Sequence, residues 1–215
     1  MSFERRSDAG YMIDLTGTLL RRTLWLALAA VIVLAAIEFA ADSYPQFRNL
    51  IGLPRLIASL AFQYQITFTL LEQSGLAERG ERARIWALLG LSIVMEIAIL
   101  IGLVLLVIPG IYLLVRWTVA VPVLVAKRTG VFEALKRSGE EMEGRYWPVL
   151  GVCLVFGSAL LLGVGTMFAL GPHATPSSSI ATDILLSAGL VGYWYAAVAI
   201  YIAGRPYGNV GEVFA

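Results

Sequence analysis

The sequence predicts an all-α, polytopic membrane protein: a bundle of six transmembrane helices with amphipathic interfacial helices on the cytoplasmic side. Two observations carry that reading. Of 215 residues, 59% are hydrophobic and 14% charged, and the mean hydropathy is +0.79, whereas a soluble domain is roughly half apolar and about a quarter charged. Six stretches also approach or exceed the roughly 20 apolar residues that a helix needs to cross a hydrocarbon core about 30 Å thick. The same composition excludes a disulfide scaffold, with one cysteine, and a basic nucleic-acid binder, with 16 Lys+Arg against 15 Asp+Glu.

Residues 1–22 read as a cytoplasmic amphipathic segment, because Met12, Leu15 and Leu19 share one helical face ahead of Arg21-Arg22. The membrane domain then occupies 23–204. Its first span, 23–41, is clean apart from Glu38. A cleaved signal peptide fits it poorly, since the apolar run exceeds the usual 7 to 15 or so residues and Phe39 stands where a small residue is needed, so the span is retained. The second span, 53–71, is the most polar, with Gln63, Gln65, Thr67 and Thr69. The third, 85–108, and fourth, 111–126, flank Pro109-Gly110, which reads as the tight turn of a hairpin. A cytoplasmic connector, 127–145, places Val131, Leu135 and Met142 at helical spacing among charged residues. The fifth span, 146–170, and sixth, 184–203, are joined by a loop rich in Pro, Ser and Gly, and 205–215 form a short cytoplasmic tail.

Orientation follows from the distribution of Lys and Arg, which are retained on the cytoplasmic side. Thirteen lie on one side: Arg5, Arg6, Arg21 and Arg22 before the first span; Arg79, Arg82 and Arg84 in the second loop; Lys127, Arg128, Lys136, Arg137 and Arg145 in the connector; Arg205 in the tail. Only Arg48 and Arg55 flank the spans on the other. Both termini are therefore expected in the cytoplasm.

The odd-numbered spans open alike, on Trp25, Trp86 and Trp147, at intervals of 61 residues, each preceded by arginine. Aligning on these tryptophans also aligns Leu28, Leu89 and Leu150. A three-hairpin repeat predicts this pattern. So does the ordinary preference of tryptophan for a membrane interface beside snorkelling arginine, and in either reading the three tryptophans anchor the interface.

Most catalytic chemistry is excluded by inventory. His173 is the only histidine and Cys153 the only cysteine, which removes histidine metal cages and CxxC sites. No G-x-S-x-G elbow accompanies His173. Gly163 and Gly165 begin a G-x-G pattern, but Phe168 occupies the third glycine position, so no phosphate-cradling loop results. The glycines of the fifth span, and Ala188, Gly192 and Ala196 of the sixth, read as surfaces for close helix packing. No cofactor, metal or catalytic residue is expected.

What remains is a set of ionisable groups at membrane depth, Glu38, Glu96 and Arg116, with Gln63, Tyr64 and Gln65 of the second span as polar neighbours. A charge at the bilayer centre costs at least about 2.5–3.5 kcal/mol, so each needs a partner or a function. Counted from Gly110 as an outer turn, Arg116 lies about 9 Å deep, and Glu38 about 5 Å below the outer end of the first span. Glu96 lies about 20 Å down. Depth therefore predicts an Arg116–Glu38 ion pair fastening the first hairpin to the second.

The run Ile108-Pro109-Gly110-Ile111-Tyr112-Leu113-Leu114-Val115-Arg116-Trp117, continuing through Ala120-Val121-Pro122 to Glu133-Ala134-Leu135-Lys136-Arg137-Ser138 and Tyr146-Trp147, resembles the membrane domain found with glycerophosphoryl diester phosphodiesterases. That domain also occurs alone in small bacterial inner-membrane proteins. The resemblance covers residues 105–155 most clearly. It implies a multi-pass fold and a bacterial cytoplasmic-membrane location. It does not imply an esterase, because the soluble barrel that carries the hydrolase is absent from this sequence.

The expected function is a non-catalytic integral membrane module, a scaffold or accessory subunit whose partners are membrane lipids and other membrane proteins or a second copy of itself, with no nucleic acid. The alternative is a small-solute transporter or channel using Glu96, Glu38 and Arg116. A water-accessible pathway through those residues discriminates the two.

Overall fold

The computed structural model describes residues 8–44, 46, 48–77, 85–105, 107–170 and 176–205, and its regular elements are all helices. In chain order they are α1 (Ala9–Arg22), α2 (Leu24–Ser43), α3 (Arg48–Gln73), α4 (Ile85–Leu105), α5 (Val107–Arg116), α6 (Ala120–Lys127), α7 (Val131–Glu141), α8 (Tyr146–Leu170) and α9 (Pro176–Ala203). Four segments, Leu24–Ser43, Ile108–Lys127, Tyr146–Leu170 and Ser179–Ala203, are long and apolar enough to cross a membrane. The expected second and third spans are not in that set. α3 has the length but dilutes its apolar side chains with arginine, glutamine and threonine, and the apolar run of α4 is the shorter Trp86–Gly102. Expectations for Arg5, Arg6, Arg79, Arg82, Arg84, His173 and the tail beyond Arg205 fall outside the described residues.

α9 is the central helix, packing against α8, α2, α1, α3 and α6. From Trp194 to Ala203 every residue of it is buried, the pattern of a helix surrounded by others. The outward side is apolar instead. Trp25, Trp86 and Trp147 are 86, 84 and 77% exposed, and Ile32, Leu100, Val104, Leu161 and Phe168 also face away from the bundle. An apolar surface of that extent marks contact with something other than water.

Each of the two amphipathic segments is a helix laid against the bundle. α1 begins with the Asp8 carboxylate accepting from the Gly10 amide at 3.4 Å. It buries Met12, Leu15, Thr16 and Leu19, packing on α9 and α8. α7 buries Ala134, Leu135, Ser138 and Gly139 and is followed by a turn that uses Gly144 at φ +75°, a conformation glycine adopts without steric cost. At the joint between α1 and α2, Thr23 Oγ1 donates to Leu19 O at 3.1 Å, and the fully buried Tyr195 reaches across from α9, its hydroxyl 2.7 Å from Thr23 Oγ1 and donating to Thr23 O at 3.2 Å.

The middle hairpin departs from the expected form. Pro109 and Gly110 do not make its turn; both lie inside α5, which starts at Val107, while α4 ends at Leu105. Proline is tolerated in the first turn of a helix, where amides lack intrahelical partners. Gly110 serves a different purpose, since a Cβ on Gly102 of α4 would stand 2.9 Å from its Cα. The fourth span is also broken, α5 ending at Arg116 and α6 beginning at Ala120. Side chains take up the polar groups at the break: Ser138 Oγ donates to Arg116 O at 2.9 Å, and Thr118 Oγ1 donates to Leu114 O at 2.8 Å. Thr118 Oγ1 also lies 3.5 Å from Cys153 Sγ and accepts from the Tyr193 hydroxyl at 3.4 Å. Likeness among the three hairpins therefore stops at their openings. Trp25, Trp86 and Trp147 are each the second residue of α2, α4 and α8, but α3 and α9 return unbroken over 26 and 28 residues while α5–α6 does not.

α8 and α9 touch through glycine, although not through the expected Ala188, Gly192, Ala196 series. Ala188 is exposed, and a Cβ on Gly192 would meet Phe156 at an ordinary 3.5 Å. The close approach is at Gly189, where a Cβ would fall 2.5 Å from Leu160 N, and at Gly163, where it would fall 2.7 Å from Leu186 Cδ2. Gly189→Ala should therefore destabilise the fold by about 1–3 kcal/mol, the usual cost of overpacking. Gly165→Ala, at a position with nothing within 4 Å, should leave stability unchanged or raise it by up to about 1 kcal/mol through helix propensity. Thermal unfolding of both variants in one detergent checks the contrast.

Candidate functional site

Five helices line a half-open cavity of about 450 Å³, bounded by Leu34 and Glu38 from α2, Gly52, Arg55, Leu56 and Ser59 from α3, Glu96 from α4, Leu160 from α8, and Leu186, Ser187 and Leu190 from α9. Helical periodicity explains the lining, because Leu34 and Glu38, Arg55 and Ser59, and Leu186 and Leu190 are each one turn apart on a single face. The glycine contact sets the far wall, since Leu160 and Leu186 are the residues that Gly189 and Gly163 approach.

Charge enters the cavity from three helices. Glu38 lies five residues before the end of α2 and Arg55 seven after the start of α3, so at about 1.5 Å per residue the two are within a few ångströms in depth. Their side chains form an ion pair, Arg55 Nε to Glu38 Oε1. One turn before Ser187, Asp183 is 6% exposed and its Oδ2 has no hydrogen-bond partner; the charges that bear on it are Asp42, Glu38 and Arg55. Beside it the Thr182 and Thr166 hydroxyls are 3.1 Å apart. Among the described side chains, then, the carboxyl groups of Glu38 and Glu96 line the cavity with the guanidinium of Arg55, and Asp183 lies close to Glu38 and Arg55. Among the described residues, no group of three or more His, Cys, Asp or Glu is placed to hold a metal ion.

Of the residues singled out in the sequence, Glu38 and Glu96 meet at this cavity and the others do not. Gln63 and Gln65 lie outside its lining, and Gln65 Nε2 donates to Thr69 Oγ1 at 3.4 Å along its own helix. The expected Arg116–Glu38 pair is not formed. Arg116 Nη1 instead donates to the Tyr112 hydroxyl at 2.7 Å, and its guanidinium covers Gly139 of α7, where a Cβ would lie 2.6 Å from Nε. Gly110 is not an outer turn but lies inside α5, so depth counted from it does not apply. α5 ends at Arg116 itself, under the Ser138 hydroxyl, which puts that arginine beside the connector rather than beside the far end of α2.

Arg55 and Asp183 were missed for one shared reason. With the second span starting at Leu53, Arg55 stands at its edge and counts as an interface charge, and with the sixth starting at 184, Asp183 counts as a loop residue, whereas α3 begins at Arg48 and α9 at Pro176. The available signal was the one-turn spacing of polar residues, Arg55 to Ser59 and Asp183 to Ser187, beside leucines. At the opposite end of α9 the charges are structural. Glu141 pairs with Lys127 at 3.2 Å and with Arg205 at 2.5 Å, clasping the ends of α6, α7 and α9. Arg145 is buried there against Gly204; burial holds its guanidinium pKa below the usual arginine value, and the Glu141 carboxylate opposes that shift.

A double-mutant cycle separates the two possible partners of Glu38. Glu38→Gln combined with Arg55→Gln should be non-additive in unfolding free energy by about 0.5 kcal/mol or more, and Glu38→Gln combined with Arg116→Gln additive within about 0.5 kcal/mol, as for distant sites. No family model, curated protein or solved structure matches this chain.

Proposed function

We propose that this chain is a non-catalytic, six-span protein of a bacterial inner membrane, with both termini cytoplasmic, and that it binds a small solute in the cavity at Glu38, Arg55 and Glu96. The cavity is the observation that carries the reading. Scaffold and accessory roles need a surface and no internal space, whereas a cavity between five helices, lined by charged residues as well as leucines, supports the transporter alternative, with Arg55 in the place expected for Arg116. Charged groups in an apolar surround are costly, and they mark solute or ion pathways by default.

The topology rests on α3 and α4 serving as the second and third spans. At 26 and 21 residues they reach about 39 and 32 Å, enough for a core about 30 Å thick. The thirteen-to-two division of Lys and Arg supports the orientation, and the resemblance of residues 105–155 to the phosphodiesterase-associated membrane domain supports the location. Exposed apolar rows on α2, α4 and α8 face lipid, or a second copy, in this arrangement.

Two labelling experiments test the proposal in a Cys153→Ala background. Arg79→Cys and Ser177→Cys should react with an impermeant maleimide from opposite sides of the membrane; reaction from the same side rules out six spans. Ser59→Cys, inside the cavity, should react with a water-soluble methanethiosulfonate, whereas Leu161→Cys, on the outward face of α8, should stay inert. If Ser59→Cys is as inert as Leu161→Cys, the cavity is dry and the scaffold role replaces the solute-binding one.

A further inference from the structure

We propose that the solute is an organic monocation with an apolar body, and that Glu96 is the carboxylate that anchors its charge; the inference rests on the solute-binding reading above. The first observation is the state of the two glutamates that line the cavity. Glu38 is answered by Arg55. Glu96, in the middle of the apolar helix α4, forms no ion pair or hydrogen bond with any described residue. Glu96 is exposed, so no protein group covers its carboxylate; in the lipid surround proposed above an unanswered charge is disfavoured, and a bound cation removes that cost.

The second observation is the remainder of the wall. Five of its eleven lining residues are leucines, Leu34, Leu56, Leu160, Leu186 and Leu190, so a ligand must exchange part of its hydration for contact with hydrocarbon. A small inorganic cation is poorly matched, because it needs a shell of about six oxygens and the described residues offer no such cluster. A cation whose charge is spread over or shielded by carbon is weakly hydrated and loses little on entering. Field sign points the same way. Asp183 presents a buried oxygen with no partner close to Glu38 and Arg55, and the Arg55 guanidinium is already paired with Glu38.

Binding of tetraphenylphosphonium to the purified protein in lipid nanodiscs tests this, with tetraphenylborate as a probe of the same shape and opposite charge. The phosphonium should bind and the borate should not. Glu96→Gln should weaken phosphonium binding by about tenfold or more, while Glu96→Asp retains most of it. Gly52→Trp should abolish binding by filling the cavity, and it should fold, since nothing lies within 4 Å of a Cβ at that position. If Gly52→Trp abolishes binding and Glu96→Gln leaves it unchanged, or if the borate binds as well as the phosphonium, the cavity binds solutes and the monocation inference is wrong. Phosphonium binding that survives Gly52→Trp, or no binding of either probe, overturns the cavity reading and this inference together.

Discussion

The backbone contact between α8 and α9 at Gly163 and Gly189 is the constraint on which the rest of this structure depends. Between helices in an apolar surround, association draws on van der Waals contact and interhelical hydrogen bonds, and small residues let the backbones close to the distance at which both operate. Here that closeness has a second result. It brings Leu160 and Leu186 together as one wall of the cavity and holds α9 where α1, α2, α3 and α6 can pack around it.

The remaining joints are held by side-chain hydroxyls. Where a helix breaks or bends in a dry environment, the freed backbone groups need replacement partners. Thr23 and Tyr195 supply them at the α1–α2 joint, and Ser138 and Thr118 at the α5–α6 break. Tyr195 and Tyr193 both project from α9, so the central helix ties down both irregularities. The middle hairpin is the least regular of the three because its return limb passes beneath α7, whose Ser138 and Gly139 meet the end of α5 and the side chain of Arg116.

Charge in this protein is distributed by helix ends. At one end of α9, Glu141 is shared by Lys127 and Arg205 and closes the bundle; toward the other, Glu38 and Arg55 face a cavity that also contains Glu96. The first cluster balances more positive charge with less negative, the second the reverse. That asymmetry gives the two ends different chemistry although they are built from the same apolar helices.

Helical class, the membrane-crossing length of four segments and the amphipathic faces of α1 and α7 were legible in the sequence, because each depends on composition and on a period of 3.6 residues, both local properties. The outward placement of Trp25, Trp86 and Trp147 was legible for the same reason. Charge pairing was not. Whether Glu38 meets Arg55 or Arg116 turns on where α3 and α5 begin and end, and those ends are set by contacts made elsewhere: Gly102 against Gly110, Ser138 over the Arg116 carbonyl. A start of α3 at Arg48 moves Arg55 from the second residue past the edge to the second turn, and an earlier start of α9 brings Asp183 into a helix. Hydropathy detects the apolar middle of a helix and passes over its polar first turns, so the tertiary structure alone decided which polar residues share a cavity.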